Sequence, residues 1–324
     1  MKPFSGPLIL VGLPRSGTKL LRDLINRHPD ISIPIMETQF IPFLLKRFNY
    51  QLPKNRDELA KLYDAFAATP FFIDMKEMEG ITLEKETFLQ NADPSSWETL
   101  LGYILKFYGP KGLTAKIYGD KTPQYLYRIK MLKEAIPNAK FVHIIRDPRD
   151  YCISVRNIWG KHIYRAAENW RCEIKKARHD VKDFKEDYLE IRYETLIMNP
   201  ETTMDQICKF TGIQFTEQMT TLAKPSENYG SAKGKTTIVA NNKNKYNQLL
   251  SPTQVKRIEE IAFDVMQSTN YKTEYAHTYQ PLHPIQQKYF KVYDGIASAH
   301  FHIRERGLIK GVAFFLSFHK LTSS

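Results

Sequence analysis

Residues Pro7–Asp30, PLILVGLPRSGTKLLRDLINRHPD, decide the fold of this chain. Leu8, Ile9, Leu10 and Val11 form a short unbroken apolar run, the pattern of a parallel strand buried on both faces. Gly12 and Pro14 break it. From Thr18 the apolar residues Leu20, Leu21, Leu24 and Ile25 recur at helical spacing, and the pattern stops at His28-Pro29. The segment reads strand, tight loop, helix. Its loop, Gly12-Leu13-Pro14-Arg15-Ser16-Gly17-Thr18, falls at a helix N-terminus. Unpaired backbone N–H groups and the positive end of the helix dipole converge there, beside Arg15 and the hydroxyls of Ser16 and Thr18. Such a loop is suited to an anion.

Composition agrees with that polarity. The chain has 324 residues, 42% hydrophobic content and a formal net charge of +12, enough apolar material for a large α/β core and an excess of cations that favours a polyanionic partner. Lys and Arg are scattered rather than blocked, and no zinc-finger or RNP-type aromatic motif occurs, so nucleic acid is not the expected partner. Cys152, Cys172 and Cys208 lack metal spacing and are expected to be reduced core thiols of a cytoplasmic protein. The first strand begins within a few residues of Met1, which leaves no room for a signal peptide or an anchoring helix. Val312 to Phe318 is apolar but too short to span a bilayer. It reads as a last helix packed on the domain, or as part of a basic amphipathic tail, Arg304 to Lys320, resting on a membrane surface. The organisation expected is an α/β domain over residues 1–270 and a helical extension over 271–324.

Outward from the first loop, Ile31 to Pro34 is extended and Phe40 to Phe48 is a strongly apolar helical segment. Glu37 is the one acid at its edge, either a candidate base or a charge satisfying a helix dipole. Helices are expected over 56–66, 83–90 and 94–108, an aromatic block suited to setting acceptor specificity. From Lys116 a short apolar segment runs into Gly119, and Thr122-Pro123 reads as a helix start, so Lys121 sits at a strand-to-helix turn, either as an exposed loop lysine or at the carboxyl edge of the sheet, where open α/β folds bind ligands. Lys140 to Ile145 is a clear buried strand containing His143, read as a core histidine. It ends at Arg146, with Asp147 as N-cap and Pro148 at the first position of a helix carrying Ser154. A long charged helix spans 162–184, a third clear strand runs from Asp187 toward Leu196 with Tyr193 at its end, and helices follow over 199–212 and 251–268. Residues 228–247 have loop composition, and from Tyr271 helical patterning weakens.

The lettering of the first loop narrows the anion. A triphosphate-binding loop reads G-x-x-x-x-G-K-[ST], with Lys at the terminal phosphates and the hydroxyl on magnesium. Here the order is Thr18-Lys19, which moves the ammonium out of the cradle and removes the hydroxyl from the magnesium position. The stretch resembles instead the phosphosulfate loop of sulfotransferases that use 3′-phosphoadenosine 5′-phosphosulfate (PAPS), P-[RK]-S-G-T-T-L. Six of the seven positions match, and Lys19 replaces the second Thr. Arg146 and Ser154, eight residues apart after a strand, resemble that family's 3′-phosphate motif, and Arg192-Tyr193-Glu194-Thr195-Leu196 resembles its R-Y-E-x-L.

The pattern is most similar to the branch containing protein-tyrosine sulfotransferases. His28-Pro29-Asp30, Glu37-Thr38-Gln39-Phe40-Ile41-Pro42, Lys121-Thr122-Pro123 and Arg146-Asp147-Pro148-Arg149 stand where that branch has H-P-[DE], E-T-x-x-I-P, K-x-P and R-D-x-R. The resemblance implies an α/β, P-loop-like three-layer fold with a central parallel sheet flanked by helices. It implies sulfuryl transfer from PAPS to an acceptor hydroxyl without a metal. Glu37 would be general base, with Lys121 and Arg15 stabilising the leaving group. Arg15, Ser16, Gly17, Thr18 and Lys19 would hold the phosphosulfate, Arg146 and Ser154 the 3′-phosphate, and Tyr193 the adenine. Ser231, Lys243 and Lys245 are alternatives for a loop that closes over the nucleotide. The acceptor stays open among tyrosine, carbohydrate, lipid and small metabolite, although the lack of secretory features argues against a Golgi-type role. Two other readings stay open: a P-loop kinase or NTPase, and a basic membrane-associated nucleotide-binding module without catalysis.

Overall fold

The computed structural model describes residues 3–227 and 229–307. By contact density the chain forms two compact units, one of residues 1–145, 177–228 and 233–239, the other of 146–176, 229–232 and 240–324. Neither unit has a boundary at residue 270.

The first unit is built on strands β1 (Leu8–Gly12), β2 (Ile31–Ser32), β3 (Ile117–Lys121), β4 (Lys140–Ile145) and β5 (Tyr188–Arg192). They form one sheet in the order β2-β3-β1-β4-β5, parallel throughout. Every residue of β1 and β3 is buried, as unbroken runs such as Leu8-Ile9-Leu10-Val11 require when helices cover both faces. On one face, Leu20, Leu21, Leu24 and Ile25 of the helix Thr18–Ile25 join Leu196, Ile197, Met204 and Ile207 in a single core cluster. On the other, Tyr118 packs closely against Gly102 of the helix Trp97–Tyr108. This is the expected α/β P-loop-like fold. The chain leaves β1 toward β2 and β3 on one side and returns to β4 and β5 on the other, so the carboxyl end of β1 is a topological switch point.

The helical block after β2 comprises Phe40–Arg47, Arg56–Ala67, Pro70–Glu79, Lys85–Asn91 and Trp97–Tyr108, started by side-chain caps at Asn55, Thr69 and Ser96. Phe40, Phe66, Phe71, Phe88 and Tyr108 are buried, and many of the block's rings meet edge to face. Packing accounts for its aromatic content.

In the second unit the helices Pro148–Trp159, Pro252–Ser268 and Pro284–Arg306 dominate. The last, 23 residues long, lies within the stretch expected to be a helical extension and is more regular than the weakening pattern after Tyr271 suggested. His283 caps it, Gln286 closes a capping box and Pro284 occupies its first turn, a start signal in which histidine replaces the usual Ser or Thr. Two expectations are corrected. β5 ends at Arg192, paired with Ile145, and Tyr193 opens a short helix, because β4 also ends there and no ladder partner remains. Cys152 and Cys208 are buried, but Cys172 is exposed. The buried stripe of its helix, Ile163, Ala166, Ala167, Trp170 and Ile174, turns position 172 outward. Val312 to Phe318 and the rest of the tail beyond Gly307 lie outside the described residues.

Candidate active site

β1 ends at Gly12, and the Ser16 N–H donates to the Leu13 carbonyl at 3.1 Å, closing a turn. Arg15 sits in the left-handed region at φ 77°, a conformation that costs a non-glycine residue free energy and so marks a constrained position. Gly17 precedes the helix Thr18–Ile25 at φ 93° and offers no side-chain cap, leaving that helix's first N–H groups uncapped. A Cβ there would lie 2.4 Å from Cδ2 of Tyr193, so Gly17 is required by both its dihedral and its neighbour. Tyr193, expected at the adenine, packs its ring on the loop and is 5% exposed. Ser16 and Thr18 are buried, whereas Arg15 and Lys19 are half-buried. The Arg15 guanidinium lies 3.7 Å from the Glu227 carboxylate.

Lys121, the last residue of β3, is 1% exposed, and its ammonium donates to Oε1 of Glu37 at 2.7 Å. Burial lowers the Lys121 pKa; Arg22 and Lys19 push the same way, and the Glu37 charge opposes them. Lys19 therefore belongs to the cationic surroundings of Lys121. Glu37 does not serve a helix dipole, because its helix starts at Phe40 after Gln39 and has no acid in its first turn. It sits on a segment tied from both sides. Asn26 exchanges two hydrogen bonds with Ile33, at 2.8 and 2.9 Å, and the Arg22 guanidinium donates to the Ile35 carbonyl. From the segment just after β3, Thr122 Oγ1 accepts from the Thr38 N–H at 3.0 Å, and the Tyr125 hydroxyl meets Thr38 Oγ1 at 2.7 Å. Sequence reasoning did not single out Arg22, Asn26, Thr122 or Tyr125 for this task. The one available signal was Thr122, three residues before Tyr125 and next to Lys121, in a segment already marked as a strand end.

The second unit holds the other predicted residues. Asp147 caps the helix Pro148–Trp159 by accepting from the Arg149 N–H at 2.9 Å, with Pro148 in the first turn, as expected. Arg146 is 6% exposed; its carbonyl accepts from Trp170 Nε1 at 2.8 Å and its guanidinium donates to the Asn242 carbonyl at 3.4 Å. Ser154 is half-buried on the helix that follows. Of the three loop candidates, two connect to this arginine. Lys245 Nζ donates to Ser231 Oγ at 2.6 Å, and Ser231 Oγ donates to Asn242 Oδ1 at 3.1 Å. Burial and the charge of Arg146 both lower the Lys245 pKa. Arg149 serves structure: it is 4% exposed, with Asp147 and Glu259 each within 2.7 Å. Burial opposes its charge, but the hydrogen bonds and charges of these carboxylates hold its pKa above the usual value.

His143 is a core histidine as read. It is 1% exposed, hydrogen-bonded through Nδ1 to the Tyr188 hydroxyl, and burial pushes its pKa to about 4 against the pull of Glu190.

This chain matches the model of the sulfotransferase family over residues 7–217, more than half its length. It is 27% identical over 223 residues to a protein-tyrosine sulfotransferase of Drosophila melanogaster, an alignment covering 65% of this chain and 39% of the relative. It is 25% identical over 223 residues to protein-tyrosine sulfotransferase 2 of Gallus gallus, covering 65% of this chain and 52% of that one. The chain thus spans about half the length, or less, of these relatives. In fold it is similar to the sulfotransferase domain from the curacin biosynthetic pathway, with TM-score 0.53 and 19% identity over 84% of this chain and 100% of that one. A strand-loop-helix with an uncapped helix start, a lysine-paired carboxylate at the end of β3 and the family match over residues 7–217 agree: the chain belongs to the sulfotransferase family.

Proposed function

We propose that this chain transfers a sulfuryl group from PAPS to the phenolic hydroxyl of a tyrosine. The observation that carries the reading is the Glu37 carboxylate on the buried Lys121, in the same unit as the glycine-cornered loop Gly12–Thr18. PAPS suits the donor set: the Gly17 cradle has no room for a side chain, the helix N-terminus behind it is uncapped, and Arg15 and Lys19 add charge. Arg146 and Ser154, with Ser231 and Lys245, are the residues we assign to the 3′-phosphate; Arg offers a planar fork to such a group. The names of the curated relatives support the tyrosine acceptor.

PAPS supplies the sulfuryl group and departs as 3′,5′-diphosphoadenosine. Glu37 accepts the proton of the attacking hydroxyl at its carboxylate. Lys121 and Arg15 hold fixed positive charge where negative charge builds on the departing oxygen, so little reorganisation is needed during the reaction.

The Thr18-Lys19 order favours this reading over a kinase or NTPase, whose magnesium hydroxyl would have to follow the lysine. Calorimetry separates the two. We expect 3′,5′-diphosphoadenosine to bind at least about tenfold, or about 1.4 kcal/mol, more tightly than ADP, with no gain from magnesium. Magnesium-dependent ATP binding without preference for the 3′-phosphate would overturn the assignment. Radiolabelled PAPS with a tyrosine peptide tests the acceptor.

A further inference from the structure

We propose that Asp120 is a positioning residue: acting through Thr38 and Thr122, it holds the Glu37 carboxylate in register with Lys121. Asp120 is 0% exposed and lies in β3 opposite Ile9, one residue before Lys121. Side chains alternate along a strand, so Lys121 points to one face and Asp120 and Thr122 to the other. Glu37 meets Lys121 while Thr38 meets Thr122 and Tyr125, so the 37–38 peptide straddles the end of β3.

Hydrogen-bond accounting leads to the carboxylate. The Tyr125 hydroxyl oxygen accepts from the Ile41 N–H at 3.2 Å and stands 2.7 Å from Thr38 Oγ1, where either hydroxyl can donate; in the proposed network Tyr125 gives its proton to Thr38. Thr122 Oγ1 already accepts from the Thr38 N–H. In that network each threonine oxygen accepts one hydrogen bond and keeps its own proton to give, and the two oxygens stand 3.4 Å apart, a long contact for a hydroxyl pair. Neither Asp120 oxygen completes a hydrogen bond in this arrangement, yet both hydroxyls lie close enough to favour its charged form. Two hydroxyl protons and one dry carboxylate occupy the same pocket, and buried polar groups find partners. With Asp120 accepting both, a directed chain runs from the Ile41 amide through Tyr125 and Thr38 to a buried charge. Without this clamp, the segment is held only from the Arg22 and Asn26 side, and the part-exposed Glu37 carboxylate by one ion pair, which fixes geometry weakly.

The assignment rests on the sulfotransferase reading for its role in catalysis, but its structural claim is read separately. Amide hydrogen exchange followed by NMR compares the wild type with Asp120→Asn, Thr122→Val and Thr122→Ser. In the first two, the amides of Thr38 and Ile41 are expected to exchange about tenfold faster or more, with the amides of β1 unchanged; Thr122→Ser keeps the oxygen and should retain protection. With radiolabelled PAPS and a tyrosine peptide, Asp120→Asn should lower kcat about tenfold and leave the peptide KM and the 3′,5′-diphosphoadenosine affinity within about twofold. Unchanged exchange at Thr38 and Ile41, or full kcat in Asp120→Asn, overturns the proposal. If the wild type transfers no sulfate to the peptide, the acceptor assignment fails, and the exchange data still decide whether Asp120 holds the segment.

Discussion

Glu259 and Glu37 each meet a buried cation at 2.7 Å, Arg149 in one case and Lys121 in the other. Glu259 is 0% exposed, and its oxygens also accept from the amides of Glu274, Tyr275 and Ala276. Its capacity is filled. Glu37 is 30% exposed, and among the described residues Lys121 is its one hydrogen-bonding partner. A saturated carboxylate ties a loop to a helix and has nothing left for a ligand, whereas an unsaturated one facing solvent can take a proton. Arg149 belongs with Glu259 on the saturated side of this contrast, enclosed by Asp147 and Glu259 at 2.7 Å each.

The largest expected effect breaks the comparison at Glu37. Glu37→Gln keeps size and removes basicity, so transfer should fall by roughly two to four powers of ten while 3′,5′-diphosphoadenosine affinity stays within about threefold. A near wild-type rate would mean another group takes the proton. Glu259→Gln should do the opposite. It leaves Arg149 buried with a neutral partner in place of a carboxylate, and urea melts should show a loss of about 3–5 kcal/mol, with the rate per folded molecule little changed.

Asp120 allows a test by pH. Burial pushes its pKa to about 6, the Thr38 and Thr122 hydroxyls and Lys121 pulling the other way and Glu37 adding to the rise. The folded state then holds this proton more tightly than the unfolded chain. Its ionisation therefore costs stability as pH rises from about 4 through 6 and adds nothing further above about 7. Relative to Asp120→Asn, the wild type should lose up to roughly 3 kcal/mol across that window, and His143, present in both, drops out of the difference. A pH-independent difference would mean that the folded carboxyl keeps its unfolded pKa, hydrogen bonds or water offsetting its burial. The smallest effect concerns the nucleotide. Lys245→Ala and Ser231→Ala should each weaken 3′,5′-diphosphoadenosine about tenfold and leave ADP nearly unaffected, while Lys243→Ala should change neither. Equal losses from Lys243→Ala would undo the choice of the Ser231–Lys245 pair.

Much of the site was legible because its parts are local. The loop Gly12–Thr18 announces itself by a strand before and a helix after, and Asp147-Pro148 by cap chemistry within two residues. The tie between Glu37 and Lys121 was not, since 84 residues separate them and each alone has an ordinary surface reading. No local pattern marks Arg22 or Asn26, yet their side chains anchor the segment that carries Glu37. The bounds of the helix from Pro284 were not read within the expected extension, because its cap is a histidine and its exposed face carries Ile285, Tyr289, Val292 and Ile296, which blurs the amphipathic pattern.

Sequence alone determined the parallel α/β architecture and the strand-loop-helix at Gly12–Thr18, because apolar runs, Gly and Pro breaks and helix N-termini act over a few residues of backbone. Only the tertiary structure decided which carboxylate is saturated and which is open, that Lys121 is buried rather than a loop lysine, and that Ser231 and Lys245 belong with Arg146. Those outcomes depend on burial and on which polar groups share a dry pocket. Both are set by the packing of segments distant in the chain, which no local pattern encodes.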